Sequence, residues 1–288
     1  MGYNSVFREG LFAGQVAIVT GGGSGIGRCT AHELAALGAE IALVGRKPEK
    51  LARVEQEIAA AGGKVATFAC DIREEPQVQE TVRAVLARFG RVDHLVNNAG
   101  GQFPAPLAAI SQKGWETVVR TNLTGGFLMA RECYTQWMRD AGGAIVNIVA
   151  DMWRGMPGMG HSGAARAGMV NFTETAALEW AVSNVRVNAV APGWIASSGM
   201  DQYPPDMKDH IRNLKNLSPL GRMGTESEVS SAIVFLLSPG AAFISGTTLR
   251  VDGAVPNTRP SFPMPKRKGQ LAPYDGFHLA ALPKVLQD

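Results

Sequence analysis

Seven short apolar runs, each separated from the next by enough chain for a helix or a long loop, constrain this sequence more than any other feature. Val16-Ala-Ile-Val-Thr20 is followed by glycines and an amphipathic stretch from Gly25 to about Leu37. Ile41-Ala-Leu-Val44 precedes a polar helix from Lys47 to Ala61, and Val65 to Ala69 precedes a helix from Glu74 to Phe89. The strand Asp93 to Asn97 leads to a long helical region from Lys113 to Asp140. Ala144 to Val149, the helix Ser162 to Val182, Val185 to Val190, the helix Glu226 to Leu237 and Thr247 to Val251 complete the series. Runs that are apolar at almost every residue read as parallel strands buried on both faces. The pattern predicts the α/β class: one domain, a doubly wound seven-stranded parallel sheet with helices on both faces. No linker interrupts the alternation, which favours one domain over two.

Composition matters here for what it removes. A chain of 288 residues can bury a core without disulfides or a structural metal. Cys29, Cys70 and Cys133 are widely separated and form no C-x-x-C, so neither disulfides nor a metal site is expected. No apolar stretch approaches the roughly 18 residues of a membrane span. Met1 to Gly14 carries Arg8 and Glu9 and lacks the apolar core of a secretory signal, so a cytoplasmic protein is expected. The net charge of +3 resides in the last segment, where Arg259, Lys266, Arg267, Lys268 and Lys284 face only Asp275 and Asp288. The body is therefore neutral, and nucleic acid is not an expected partner. Pro260, Pro263, Pro265, Pro273 and Pro283 forbid regular structure over most of that tail. The expected division is a body over 1–256, with an extension at 1–14 and a substrate lid at 195–220, followed by a proline-rich basic tail at 257–288. A solvated terminus and an anion-binding segment are both open readings of the tail.

Thr20-Gly-Gly-Gly-Ser-Gly-Ile-Gly27 lies between the first strand and the first helix. Glycines there let the backbone approach a pyrophosphate, whose charge then faces the helix N-terminus. The spacing T-G-x-x-x-G-x-G resembles the short-chain dehydrogenase/reductase family, a Rossmann-fold group. The resemblance implies cofactor contacts from Gly21, Ser24, Gly25, Ile26 and Gly27. Asn97-Asn98-Ala99-Gly100 matches the family motif that supports the sheet and borders the cofactor, and Asp71-Ile72 falls where the family contacts adenine. Pro192-Gly193 matches the turn before the nicotinamide-contacting loop, here containing Ile195 and, in place of the usual threonine, Ser197. Val251-Asp-Gly253 matches the closing strand. The family pairs its long helices across four-helix interfaces, which implies a homotetramer, with Ala164, Ala165, Ala167 and Gly168 small enough for close approach.

An acidic residue after the second strand would accept hydrogen bonds from a ribose 2′-hydroxyl. The sequence gives Gly45-Arg46-Lys47 instead, and two cations suit a 2′-phosphate. NADP(H) is favoured on this reading, with NAD(H) as the alternative.

The site itself departs from the family. A Ser, Tyr, Lys set with Y-x-x-x-K on one helix is its usual chemistry. Here that stretch reads Ser162-Gly-Ala-Ala-Arg166, the usual serine position falls near Ala150, and only Asn122 of the four remains. Serine is too weak an acid to replace a lysine-activated phenol, and arginine stays charged. Ser162 and Arg166, at i and i+4 on one helical face, instead suit polarising a carbonyl conjugated to a C=C bond. His161-Ser-Gly-Ala-Ala-Arg-Ala-Gly168, Gly101-Gln-Phe103 and Thr121-Asn-Leu-Thr-Gly125 resemble peroxisomal trans-2-enoyl-CoA reductases. A second resemblance is to bacterial citronellol/citronellal dehydrogenases. Catalytic candidates are therefore Asn122, Ser162, Arg166 and His161, the last as a relay near neutral pH. Tyr203 in the lid and Asp151 beside the missing serine are weighed against plain packing and capping roles. Met152, Trp153, Met156 and Met159 read as lining an apolar cleft. Three functions stay open: an enoyl-CoA reductase, a terpenoid alcohol or aldehyde dehydrogenase, and a dinucleotide-binding protein without catalysis.

Overall fold

The first strand, β1 (Val16–Thr20), is buried at every residue, as a run covered on both sheet faces must be. Then follow α1 (Gly25–Ala36), β2 (Glu40–Gly45), α2 (Pro48–Ala60), β3 (Val65–Ala69), α3 (Glu75–Phe89) and β4 (His94–Asn97). The second half holds α4 (Gln112–Val119), α5 (Gly125–Cys133), α6 (Arg139–Ala141), β5 (Gly143–Ile148) and α7 (Gly160–Glu179). It continues with β6 (Val185–Pro192), α8 (Lys208–Leu217), α9 (Glu226–Leu237) and β7 (Thr248–Val251). This is a computed structural model, and it describes residues 2–259, 261–264, 268–269 and 271–287. Among them, seven parallel strands form one sheet in the order β3-β2-β1-β4-β5-β6-β7.

Apolar spacing decides which helix covers which face. Leu51, Val54 and Ile58 lie on one stripe of α2 and join α1 and α9 over the first face. Val78, Val82 and Val85 of α3 pack with α5 and α7 on the second. Each such fully buried side chain stabilises the fold by about 1.5–3 kcal/mol relative to exposure. The strand order reverses between β1 and β4, so a crevice opens beyond their C-terminal ends. The glycine loop leaves β1 there, and Asn97 ends β4.

One expectation needs correction. The region from Lys113 to Asp140 is not one helix: π turns at Arg120–Thr124 and Tyr134–Met138 interrupt it. The first turns Asn122 inward, where it is buried, and such local widening is common at functional sites. In addition, the lid contains a helix, α8, whose apolar Ile211 and Leu214 pack against Met200.

The tail is short of regular structure, yet its later part is packed rather than solvated. Asn4 donates its N–H to the Gly276 carbonyl at 2.9 Å, and the Tyr274 hydroxyl donates to the Asn4 carbonyl at 2.9 Å. Phe277 is buried beneath the Arg28 guanidinium, 4.9 Å from its ring centroid, and its N–H reaches Ser227 Oγ at 3.1 Å. Glu33 of α1 accepts from Ser5 Oγ at 2.7 Å, Tyr3 Oη at 3.1 Å and Ser230 Oγ at 2.5 Å, tying the amino-terminal extension to α9. Burial pushes the Glu33 carboxyl upward. The chain then crosses to the lid, where Val285 N donates to Asp201 Oδ1 at 2.9 Å. Arg212 Nε returns to the Val285 carbonyl at 3.0 Å, and the same guanidinium also reaches the Gln287 carbonyl. Of the basic cluster, Lys268 is exposed, while Lys266 and Arg267 lie outside the described residues.

Candidate active site

The glycine loop is built for close approach. Gly21 and Gly25 have φ of 66° and 58°, backbone that L side chains rarely adopt. A Cβ at Gly27 would lie 2.6 Å from the Gly21 carbonyl oxygen, so only glycine lets α1 start against β1. The loop is braced by Asn98, whose Nδ2 donates to the Thr20 carbonyl at 3.0 Å, while Asn98 N and Ala99 N both donate to Thr20 Oγ1 at 3.0 Å. The Asn98 amide is thus spent on the loop. Ser24 precedes α1 without a side-chain cap, which leaves the first helical N–H groups to a ligand.

Arg46 and Lys47 follow β2 directly and are exposed, and among the described residues neither forms an ion pair. Asp71 faces them. Its carboxyl is held below the usual range chiefly by Arg73, whose Nε approaches at 2.8 Å, with Arg46 contributing. Ile72 is buried and turns its side chain into the core against Gly125, away from the adenine contact expected of it. Gly193 crosses Asp252 so closely that a Cβ would lie 2.7 Å from its Cα. Beyond Pro192-Gly193, Ile195 is buried and bridges to Gly224, and Ser197 opens the lid's first turn.

One residue here was not singled out from the sequence. Glu226, in the first turn of α9, sits 3.9 Å from where a Cβ on Gly25 would be. Burial pushes its carboxyl up from 4.5 to about 7, with Arg28 opposing and Asp275 adding to the shift. The neutral acid is the form the fold accommodates, so its contribution to stability is complete below about 4.5 and is lost as pH rises through about 7. A carboxylate at that place also repels a phosphate, by something on the order of 1 kcal/mol at ~8 Å. Dinucleotide affinity is therefore expected to fall about fivefold between about pH 6 and 8, with a flat profile for Glu226→Gln. Calorimetric titration showing parallel profiles for the two proteins would refute this.

The catalytic candidates meet at the C-terminal end of β4 and β5. Asn122 locks onto Gly101, its Oδ1 accepting from Gly101 N and its Nδ2 donating to the Gly101 carbonyl, both at 2.9 Å. Ser162 and His161, at the start of α7, are both buried completely. His161 Nδ1 accepts from Ser162 N at 2.8 Å, which commits that nitrogen as an acceptor. Its Nε2 is buried without a partner, with Phe103 packed edge-on at 4.5 Å between centroids. A relay from His161 would therefore need substrate or solvent to reach Nε2. Arg166 donates NH1 to the Ile148 carbonyl at 2.5 Å, and its Nε is buried with no partner. Burial pushes this guanidinium down to about 10, yet it stays charged at neutral pH. A Cβ at Gly100 would lie 2.5 Å from Arg166 NH2, so Gly100 is what lets the guanidinium lie over the end of β4.

Gln102, quoted in the sequence only as part of a motif, joins these residues to the lid. Asn122 Nδ2 donates to Ser162 Oγ at 3.5 Å, and Ser162 Oγ donates to Gln102 Oε1 at 2.7 Å. Gln102 Nε2 in turn donates to Tyr203 Oη at 2.8 Å. Nothing in the sequence pairs residues 60 and 101 positions apart. Asp151 is half-buried, and burial pushes its carboxyl upward, with Arg250 opposing. Trp153 is exposed beneath the Arg250 guanidinium, 5.3 Å from its centroid, while Met159 faces Tyr203.

A bare glycine loop, an uncapped helix start and an arginine whose buried Nε has no partner among the described residues, beyond the switch point of a parallel sheet, fit a nicotinamide dinucleotide. They define an oxidoreductase of the dinucleotide-binding class. A family model described as enoyl-(acyl carrier protein) reductase matches residues 21–255. The chain is 36% identical over 263 residues to a peroxisomal 2,4-dienoyl-CoA reductase of Rattus norvegicus, covering 90% of this chain and 89% of that protein. It is 33% identical over 244 residues to a 3-oxoacyl-[acyl-carrier-protein] reductase of Thermotoga maritima, covering 84% and 98%. Among solved structures, a citronellol catabolism dehydrogenase of Pseudomonas aeruginosa PAO1 superposes with a TM-score of 0.80 at 63% identity, covering 88% of this chain and 99% of that one. The chain belongs to the short-chain dehydrogenase/reductase family.

Proposed function

We propose that the chain uses NADPH to reduce the 2,3 double bond of an enoyl-CoA. The observation that carries this reading is the pair Ser162 and Arg166 on one turn of α7, where a phenol and an ammonium would serve ketone chemistry. Arg166 would hold the nicotinamide end of a bound dinucleotide, which would supply the hydride for the β-carbon of a conjugated thioester. Ser162 Oγ, buried between Asn122 and Gln102, would turn its single proton from Gln102 Oε1 to the thioester oxygen as that oxygen becomes negative. Arg166 holds positive potential at the same place. Arg46 and Lys47 would take the 2′-phosphate. Of the lid cations, Arg212 is committed to tail carbonyls, so Lys208 and Lys215, both exposed, are left for the phosphates of CoA.

The 63% identity to a citronellol catabolism dehydrogenase supports a second reading, oxidation of a terpenoid alcohol or aldehyde. One assay separates them. NADPH oxidation is expected with crotonyl-CoA, and no NAD(P)+ reduction with citronellol or citronellal. Turnover of the terpenoids alone would replace the proposal, and NADPH binding without turnover of either would favour a binding protein.

We further propose a homotetramer assembled through the outer face of α7. Ala165 and Gly168 pack inside the subunit, Gly168 against Leu123, so they do not serve this face. Ala164 and Ala167 face outward, in line with Leu178, which is 79% exposed, and Val182, 87% exposed beyond the end of α7. Such a row of apolar side chains is a docking face. Light scattering is expected to give a tetramer that Leu178→Arg reduces to smaller species. A monomer at micromolar concentration would overturn the proposal.

A further inference from the structure

The hydrogen bonds that run from Asn122 to the lid all point one way. Asn122 donates to Ser162, Ser162 donates to Gln102, and Gln102 donates to Tyr203. The Tyr203 hydroxyl thus receives a bond on its oxygen, while among the described residues its own proton faces only the Met159 thioether, at 4.0 Å. A thioether is a weak acceptor, so this O–H is the one in the array not committed to an oxygen or nitrogen.

Tyr203 does not reach this position on the strength of local structure. It lies between two 3-10 turns, Ser198–Gln202 and Pro205–Met207, and Pro204 follows it. Its ring packs in the cluster of Met200, Ile211 and Leu214, to which Val285 and Leu286 from the far end of the chain also belong. Asp201 and Arg212, on either side of Tyr203, are the two lid residues that grip the tail.

We propose that Tyr203, held over the site by the tail segment 283–287, is the acid that completes the reaction. This rests on the thioester reading above. Hydride from the reduced nicotinamide forms the new C–H bond at the β-carbon, and the π pair moves onto the thioester oxygen beside Ser162. The Tyr203 O–H bond then breaks as the enolate collapses, forming the C–H bond at the α-carbon and restoring the carbonyl. The phenolate recovers its proton from water. The substrate gains a hydride at the β-carbon and a proton at the α-carbon, two electrons and two hydrogens in all, and the nicotinamide is oxidised by two electrons.

Tyr203→Phe keeps the ring in its cluster and removes only the hydroxyl. Its thermal midpoint should match the unmodified protein, its KM for crotonyl-CoA should change less than about threefold, and kcat should fall about 100-fold, the usual contribution of general acid catalysis. Arg212→Ala tests the strap without touching the site: hydrogen exchange over residues 198–217 of the ligand-free protein should quicken, and kcat should fall by a smaller factor. A Tyr203→Phe enzyme with kcat within about threefold of normal overturns the inference, as does unaltered exchange in Arg212→Ala. Loss of activity in Ser162→Ala alongside full activity in Tyr203→Phe would leave the thioester reading standing without it. If the unmodified enzyme turns over citronellol instead, the thioester reading falls, and a 100-fold deficit of Tyr203→Phe on that alcohol still assigns the proton transfer to Tyr203. Turnover of neither substrate overturns both.

Discussion

Replacing Arg166 with methionine is expected to lower kcat/KM for crotonyl-CoA by about 10²–10³, the range for loss of a preorganised donor to developing negative charge. The same change should leave the ligand-free protein as stable as before or more so. The two effects have one cause. Arg166 is half-buried, makes one hydrogen bond to the Ile148 carbonyl, and leaves its buried Nε without a partner among the described residues. Burial holds it well below its ordinary ionisation range, the sign of a charge the fold tolerates at a cost. Methionine fills much of the volume without the charge, so a gain of about 1 kcal/mol, or roughly 2–4 °C in melting temperature, is expected. A dinucleotide or an enolate oxygen would supply the partner that Nε lacks. Calorimetry and steady-state kinetics on the one variant test both halves. Unimpaired turnover, or a melting temperature lowered by many degrees, would mean that Arg166 serves the fold rather than the reaction.

Arg46→Asp is expected to reverse the preference for NADPH over NADH, changing the ratio of their dissociation constants by at least about 100-fold. Loss of a charge-assisted bidentate contact costs about 1.5–3 kcal/mol for NADPH. The new carboxylate adds repulsion against the 2′-phosphate and can accept from the 2′-hydroxyl of NADH. The location supports the assignment: Arg46 follows β2 at the crevice, and Asp71 beside it is already neutralised by Arg73. Fluorescence titration with each cofactor decides the matter. Tighter binding of NADH by the unmodified protein would be fatal to it.

How much of this was legible depends on the range over which each feature is determined. Val16–Thr20, Val65–Ala69 and Glu226–Leu237 fall where the sequence placed them, because a short, mostly apolar run declares itself within a few residues. The break in Lys113–Asp140 was not legible, since a π turn changes one hydrogen-bond register and leaves the apolar period intact. The burial of Phe277 was hidden for the opposite reason: prolines around it correctly forbade helix and strand, yet said nothing of Tyr3, Arg28 and Ser227, which enclose it. At the site, Ser162 and Arg166 stood out because they replace expected residues one turn apart. Gln102 had no such signal, because its partners arrive from α7 and from the lid.

The carboxy-terminal strap also bears on when the protein becomes able to work. Arg28 contacts Leu279 across 251 residues of chain, and Asn4 pairs with Gly276. Contacts of such sequence separation close late, after the helices and the central strands have found one another. Synthesis runs from the amino terminus, so the sheet and its glycine loop can assemble while the strap is still unmade. A nascent chain would thus acquire its cofactor end first and its closed lid last. On that order the strap over residues 274–287 would join the amino-terminal extension to the lid only after the sheet between them is in place.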